Sequence, residues 1–351
     1  MKKLYLFILL PAVIILSGCT INFGSSTPSG PDGGLFKSTS KGAVWAQKSL
    51  IATVSGKPGS FGGLNTNTLV MDPSDPKTLY YTGNENGLFY TYDAAESWQQ
   101  APALRDTNLT SLAVDPIAHC TLYGATQNRL LKSLDCGRSW SQSYYDNDLS
   151  VTVSAIAVDH YDSAVVYIGT SRGEVIQSLD GGKSWQVLNR FDDPVKKVIV
   201  SPADSRLLFA ATQHKGLYRS SNRGVMWETL ADAMAEFPES TQFRDLYLSS
   251  ARPGLMVLAT NYGILKSVNN GDDWVALKLL TPEKEATINS VVISELNTEE
   301  IYYVTNTTFY GTADGGQNWA TKKLPSNRAG KILLADPQNA GVLYLAVRAN
   351  N

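Results

Sequence analysis

The sequence predicts an all-β fold, a seven-bladed β-propeller, on three observations. All seven tryptophans occupy one place in one motif, spaced 42 to 53 residues apart. A second pattern of paired apolar runs alternates with that motif, also seven times. The chain enters on one pattern and leaves on the other, so its ends complement each other. A fixed period of this length marks a single supersecondary unit copied along the chain.

The first motif reads Ser/Thr-x-Asp-x-Gly-x-x-Trp and ends at Trp45, Trp98, Trp140, Trp185, Trp227, Trp274 and Trp319. Asp93, Asp135, Asp180 and Asp314 hold the acidic position, Asn222 and Asn269 replace it in two copies, and Ser40 in the first. An Asp or Asn here accepts hydrogen bonds from its own turn, and Gly supplies positive φ. The Trp packs back over the hairpin and keeps a partner for its indole N–H. These residues are therefore expected to be structural, not catalytic.

The second pattern is an apolar run, a polar turn often containing Asp-Pro, and an apolar run ending in small residues. Leu69 to Gly83 and Leu112 to Thr126 are two copies. Each repeat thus holds four strands, A and B from this pattern, C and D around the tryptophan motif, which is the propeller unit. The inner A strand is expected to be buried on both faces. Residues 35–48 supply only a C–D pair and residues 332–347 only an A–B pair. Joined, they make the last blade and remove two exposed strand edges.

Residues 1–19 read as a leader. Lys2 and Lys3 precede an apolar stretch that ends in Leu16-Ser-Gly-Cys19. This resembles the bacterial lipoprotein signal, which implies lipidation of Cys19 and an extracytoplasmic protein of the cell envelope, at the outer membrane or cell surface. Residues 20–34 are rich in Ser, Gly and Pro and read as a flexible tether. Residues 35–351 form the propeller.

The other two cysteines, Cys120 and Cys136, fall in one repeat, near-opposite across a hairpin that turns at Gln127-Asn128. In an exported protein this predicts a disulfide, the alternative being two buried or free thiols. His119, His160 and His214 lie in three different repeats, so no metal site and no cofactor are expected. The net charge is −2, which leaves no nucleic-acid footprint.

The tryptophan motifs resemble Asp-box (bacterial neuraminidase) repeats over residues 35–347. Such repeats occur in sialidases, xyloglucanases, sortilin-type receptors and a propeller factor of photosystem II assembly. The resemblance implies the fold and says little about activity. Sialidase chemistry would require an arginine triad, yet no Arg-Ile-Pro motif is present and the repeats number seven rather than six. Xyloglucanases of this repeat type pair two propellers with a carboxylate from each. The assembly-factor plan is a single exported ring, which implies a docking platform for a protein partner.

In a propeller the D–A and B–C loops surround one mouth of the central channel. Two of these loops are long, 46–67 and 228–242, and the first is glycine-rich and reads as a mobile linker into the first complete blade. The residue two before each A run should sit at the mouth. Aligned, these are Asn67, Thr110, Ser154, Lys196, Arg244, Asn289 and Lys331, with Lys197 adjoining. The cations suit an anionic ligand or acidic peptide, or else pair with Asp192, Asp193 and Asp245. Tyr144, Tyr145, Phe191, Phe237 and Tyr262 are candidate contact aromatics. The expected function is a lipid-anchored, non-catalytic protein-binding scaffold. The alternative is a carbohydrate-binding or glycoside-hydrolase-like propeller.

Overall fold

Short apolar runs cut by turn residues cannot bury both faces alone, so they pair and stack. The computed structural model describes residues 32–53 and 57–349; the leader, Cys19 and most of the tether lie outside them. Among the described residues the repeats form seven four-stranded antiparallel sheets. Blade 1 runs Thr66–Met71, Leu79–Gly83, Leu88–Thr91 and Gln99–Gln100, from A to D. Blade 2 comprises Ser111–Val114, Leu122–Thr126, Arg129–Ser133 and Ser141–Tyr145. Blades 3 to 6 repeat the plan up to Ala320–Lys323.

Blade 7 is the composite that the two chain ends predict. Ala329–Ala335 and Leu343–Arg348 are its A and B strands, Leu35–Ser38 and Ala46–Gln47 its C and D strands. Leu35 pairs with Ala346 and Ser38 with Leu343, antiparallel and in register. The core is divided among the blade seams. One cluster joins Tyr344 of blade 7 to Leu79 and Trp98 of blade 1, and another joins Phe209 of blade 4 to Leu258 of blade 5.

Two expectations are corrected here. Most A strands are not buried on both faces: Thr66–Met71 and Ser111–Val114 mix buried and half-buried residues, while Ser290–Ser294 of blade 6 is buried throughout. They line a channel, and a seven-membered ring holds its inner strands too far apart to fill it. The doubly buried strand is B, as in Val166–Thr170 and Met256–Thr260. The loop 46–67 is more than a linker. Its described part holds a small sheet, Leu50–Ile51 with Gly59–Ser60. Behind it Phe61 is buried against Tyr81, Phe89 and Trp98, with ring centroids 4.5 to 5.3 Å apart. The loop 228–242 is likewise anchored, by the buried Met234.

The tryptophan motifs close the C–D turns. In blade 3, Asp180 accepts hydrogen bonds from Ser178 Oγ at 2.8 Å, Ser184 Oγ at 2.5 Å and the Lys183 and Ser184 amides. Gly182 has φ 86°; Ala95 of blade 1 holds the same left-handed region, φ 70°, without glycine's freedom. Trp185 Nε1 donates to Ser143 O of the preceding blade at 3.0 Å, and Trp98 and Trp319 make the same kind of bond, so these three motifs also fasten a seam.

Candidate functional site

The seven aligned residues meet. Asn67, Thr110, Ser154, Lys196, Arg244, Asn289 and Lys331 all line one channel cavity of about 370 Å³. Their convergence has a local cause that sequence alignment missed. In blades 1, 3, 4, 5 and 7 the register between A and B shifts at this residue, for example Val195 pairing with Thr212 but Lys197 with Ala211. A β-bulge leaves one residue out of the ladder and re-aims its side chain. Lys196, Arg244 and Lys331 are three of these bulge residues.

The short polar residues at this position do structural work. Asn67 Nδ2 donates to Leu109 O at 3.0 Å, Thr110 Oγ1 to Val153 O at 3.1 Å, Ser154 Oγ to Val195 O at 2.6 Å and Asn289 Nδ2 to Gly330 O at 2.7 Å. Each bond reaches the next blade at the residue just before that blade's own aligned position. The three cations break this chain of seam bonds. Arg244 Nε donates to Asn261 Oδ1 at 2.8 Å within its own blade and is otherwise exposed. Lys196 is exposed, and it and Lys331 have no acidic partner within ion-pair distance among the described residues.

Lys197 behaves differently. Its ammonium pairs with Asp245 at 2.8 Å, and Asp245 also accepts from Ser290 Oγ and the Val291 amide. That carboxylate is therefore engaged, and the remaining charge at the mouth is positive. Burial pulls the Lys331 ammonium below the usual lysine range, and Arg348 and Lys196 push the same way against Asp245. Arg348 is the residue that sequence reasoning missed. It and Lys331 line an adjoining polar recess of about 360 Å³ with Asn65, Asn67, Asn84 and Asn108. A signal existed: the sixth residue counted from Leu79, Leu122, Val166, Leu208, Met256 and Ile301 is Asn84, Gln127, Ser171, Gln213, Asn261 and Asn306, and counted from Leu343 it is Arg348.

The aromatic candidates do not join the cations. Phe191 is 6% exposed and packs on Tyr218 and Trp227, because it fills the seam of blades 3 and 4. Tyr144 and Tyr145 lie on an outer D strand, Tyr144 half-buried edge-on to Trp185. Tyr262 and Phe237 pack together over blade 5, with the Tyr262 hydroxyl donating to Glu283 at 2.8 Å.

Carboxylates also come together on the loop face, between blades 2 and 3. Arg172 Nη2 donates to Asp146 at 2.9 Å and Glu174 at 2.8 Å, and Arg190 Nε adds a bond to Glu174 at 2.9 Å. Glu174 is 1% and Asp146 7% exposed. This pair is neutralised by guanidinium groups rather than set across an open cleft. Asp193 is bound by His214 Nδ1 at 3.0 Å and by the His214 and Lys215 amides. Cys120 and Cys136 form a disulfide, next to a Cys136 amide to Cys120 carbonyl bond of 2.9 Å.

No protein-family model matches the chain. Two curated relatives do. One is a probable oligoxyloglucan-reducing end-specific xyloglucanase of Neosartorya fischeri, 26% identical over 191 residues, 48% of this chain and 23% of the relative. The other is the oligoxyloglucan-reducing end-specific xyloglucanase of Emericella nidulans, 27% identical over 193 residues, again 48% and 23%. The match thus spans about a quarter of those relatives' length. Among solved structures, the GH74 enzyme of Niastella koreensis superposes with a TM-score of 0.65 at 16% identity, over 81% of this chain and 51% of that one. YCF48 bound to D1 peptide superposes with a TM-score of 0.62 at 16% identity, over 81% and 92%. YCF48 of Cyanidioschyzon merolae does so at 0.61 and 13%, over 81% and 95%. The chain is a seven-bladed propeller similar to both groups.

Proposed function

We propose that this protein is a non-catalytic docking platform of the bacterial cell envelope, held by a lipid on Cys19, that binds an acidic segment of a protein partner at the channel mouth. The observation that carries this reading is the ring of seven aligned residues at the channel mouth. Four of its positions spend their side chains on seam bonds, while Lys196, Arg244 and Lys331 present unpaired charge beside Arg348. Clustered cations with few internal acceptors favour carboxylate recognition. The overlap with YCF48 bound to D1 peptide, over 81% of this chain and 92% of that one, fits a peptide-binding role.

The test is Lys196→Glu combined with Arg244→Glu. Neither side chain makes a seam bond, so the ring should keep its thermal midpoint while cross-linking to the native partner at the channel mouth falls at least tenfold. Equal cross-linking by the double variant removes the patch from the account.

The second reading is a glycan binder or glycosidase, favoured by the two curated xyloglucanase relatives. A glycosidase needs two carboxyl groups flanking the scissile bond. The Asp146 and Glu174 pair is the nearest arrangement, and its guanidinium partners weigh against that use. Release of reducing ends from xyloglucan oligosaccharides, lost in Glu174→Gln, would move the assignment to this reading.

A further inference from the structure

A second cavity lies at the seam of blades 6 and 7, lined by none of the channel-mouth residues. The residue just before the Ser/Thr of each tryptophan motif is a cation in four blades: Lys37, Lys132, Arg219 and Lys266. Three of these reach across the seam to the carbonyl of the middle residue of the next motif. Lys132 Nζ donates to Gly181 O at 2.7 Å, Lys37 Nζ to Ala94 O at 2.8 Å and Arg219 Nη1 to Asn270 O at 2.9 Å. Two of the ammonium groups also lie over the ring of the tyrosine paired with them across the strands. Lys132 is 5.2 Å from the Tyr123 centroid and Lys37 5.8 Å from that of Tyr344.

Blade 6 has Gly311 at this position, paired with Tyr302 in the same register. The tyrosine ring is kept and the cation is gone. A cavity of about 490 Å³ opens there, lined by Gly311, Tyr302, Phe309, Trp319, Lys41 and Glu300. Lys41 is the middle residue of the next motif, so its carbonyl stands where Gly181, Ala94 and Asn270 receive their cation.

Glu300 is a second departure. The residue at its place in the other blades is Thr78, Thr121, Val165, Leu207, Leu255 or Val342. Here a carboxylate is 5% exposed in the cavity wall, paired with Lys41 at 2.7 Å and accepting from the Tyr302 hydroxyl at 2.8 Å and from Asn297 Nδ2 at 3.1 Å. Asp314 and Lys322 complete the charged lining. Asp314 is held within its own turn, and Lys322 is exposed, where solvent and salt screen it. The seam is also less tightly fastened than its neighbours. Trp45 Nε1, like Trp274 Nε1, is buried without a partner among the described residues, whereas Trp98 and Trp319 at the two adjoining seams donate to the preceding blade.

We infer that this cavity is a socket for an alkylammonium or guanidinium group, which would occupy the place vacated at Gly311, over the Tyr302 ring and between Lys41 O and Glu300. The walls match what such a group needs: an aromatic face, a carbonyl acceptor and a carboxylate. Its volume lies in the range of small-ligand sites. A lysine or arginine side chain of a partner and a free organic amine present the same chemistry.

The experiment follows the Trp45 and Trp319 indole N–H signals by NMR while butylguanidinium and, separately, a lysine tripeptide are added. Saturable shifts at these two signals are expected, at least tenfold weaker in Gly311→Lys, where the tethered ammonium fills the socket. A Cβ at Gly311 meets the Tyr302 ring at 3.0 Å, so that variant requires a small ring displacement. Glu300→Gln is the second variant, expected to weaken binding at least threefold whether or not Gly311→Lys folds. Tighter binding of the tripeptide assigns the socket to a protein side chain, and equal or tighter binding of butylguanidinium to a free amine. Absence of saturable shifts, or binding unchanged in Glu300→Gln or in folded Gly311→Lys, overturns the inference.

Discussion

At the residue scale, the repeat works because one carboxylate serves several donors. Hydrogen bonds from the Ser139 hydroxyl and amide and from Ser133 hold Asp135 down at about 2. Bonds from the Asn318 amide and side chain and from Thr312 hold Asp314 at about 2. A folded-state value below the unfolded value of about 3.9 gives stability that is complete above that pH and lost as the pH falls toward 2. The thermal midpoint should therefore fall between about pH 4 and 2, and Asp135→Asn should flatten part of that slope. A midpoint independent of pH across this window would contradict the account. Trp98 is fully buried and its indole donates to Lys48 O at 2.8 Å. Trp98→Ala should cost about 3–5 kcal/mol in denaturant unfolding. Such residues were legible in the sequence because type and spacing recur together. The bulge at Lys196 was not legible, since a bulge is a relation between two strands and leaves no mark in one. Arg348 was overlooked because it ends the last apolar run, where the comparison with Asn84 and Asn261 is easily left out.

At the element scale, the blade is a four-stranded sheet whose turns carry the signal. The Gln127-Asn128 turn puts Thr126 opposite Arg129 and Leu122 opposite Ser133, which brings Cys120 beside Cys136. That geometry follows from counting residues around a two-residue turn. The bond closes a loop with a sequence separation of 16. Replacing both cysteines by serine should lower stability by about 3 kcal/mol if chain entropy dominates. Chemical denaturation with and without reductant reads this directly, and no change on reduction would mean the bond adds nothing. Strand burial was less legible. An apolar A run and an apolar B run look alike in sequence, and only the width of the ring decides which of them meets water. The loop 46–67 misled for a related reason. Its glycines suggest mobility, while the single Phe61 anchors it through ring contacts that no local pattern announces.

At the scale of the whole molecule, closure depends on strands from both ends of the chain sharing one sheet. Deleting residues 329–351 would strip blade 7 of its A and B strands, leave an unpaired edge on Leu35–Ser38 and uncover the apolar faces of blades 6 and 1. Such a protein should aggregate or unfold non-cooperatively in calorimetry, whereas deleting residues 20–31 should leave the transition intact. A cooperative, unshifted transition after the first deletion would contradict closure by the composite blade. The ring also explains why function is hard to read from sequence. Residues at the channel mouth come from seven repeats scattered along the chain, and each is unremarkable in its own repeat. Lys196, Arg244 and Lys331 stand out only against Asn67, Thr110, Ser154 and Asn289, whose side chains tie the seams.

The docking account is tested most directly by cross-linking the native protein and the Lys196→Glu, Arg244→Glu variant side by side and mapping the linked residues by mass spectrometry. The account predicts a reproducible protein partner linked through an acidic segment at the channel mouth, lost at least tenfold in the variant at an unchanged thermal midpoint. A partner linked elsewhere, or capture unaffected by the two charge reversals, would contradict it.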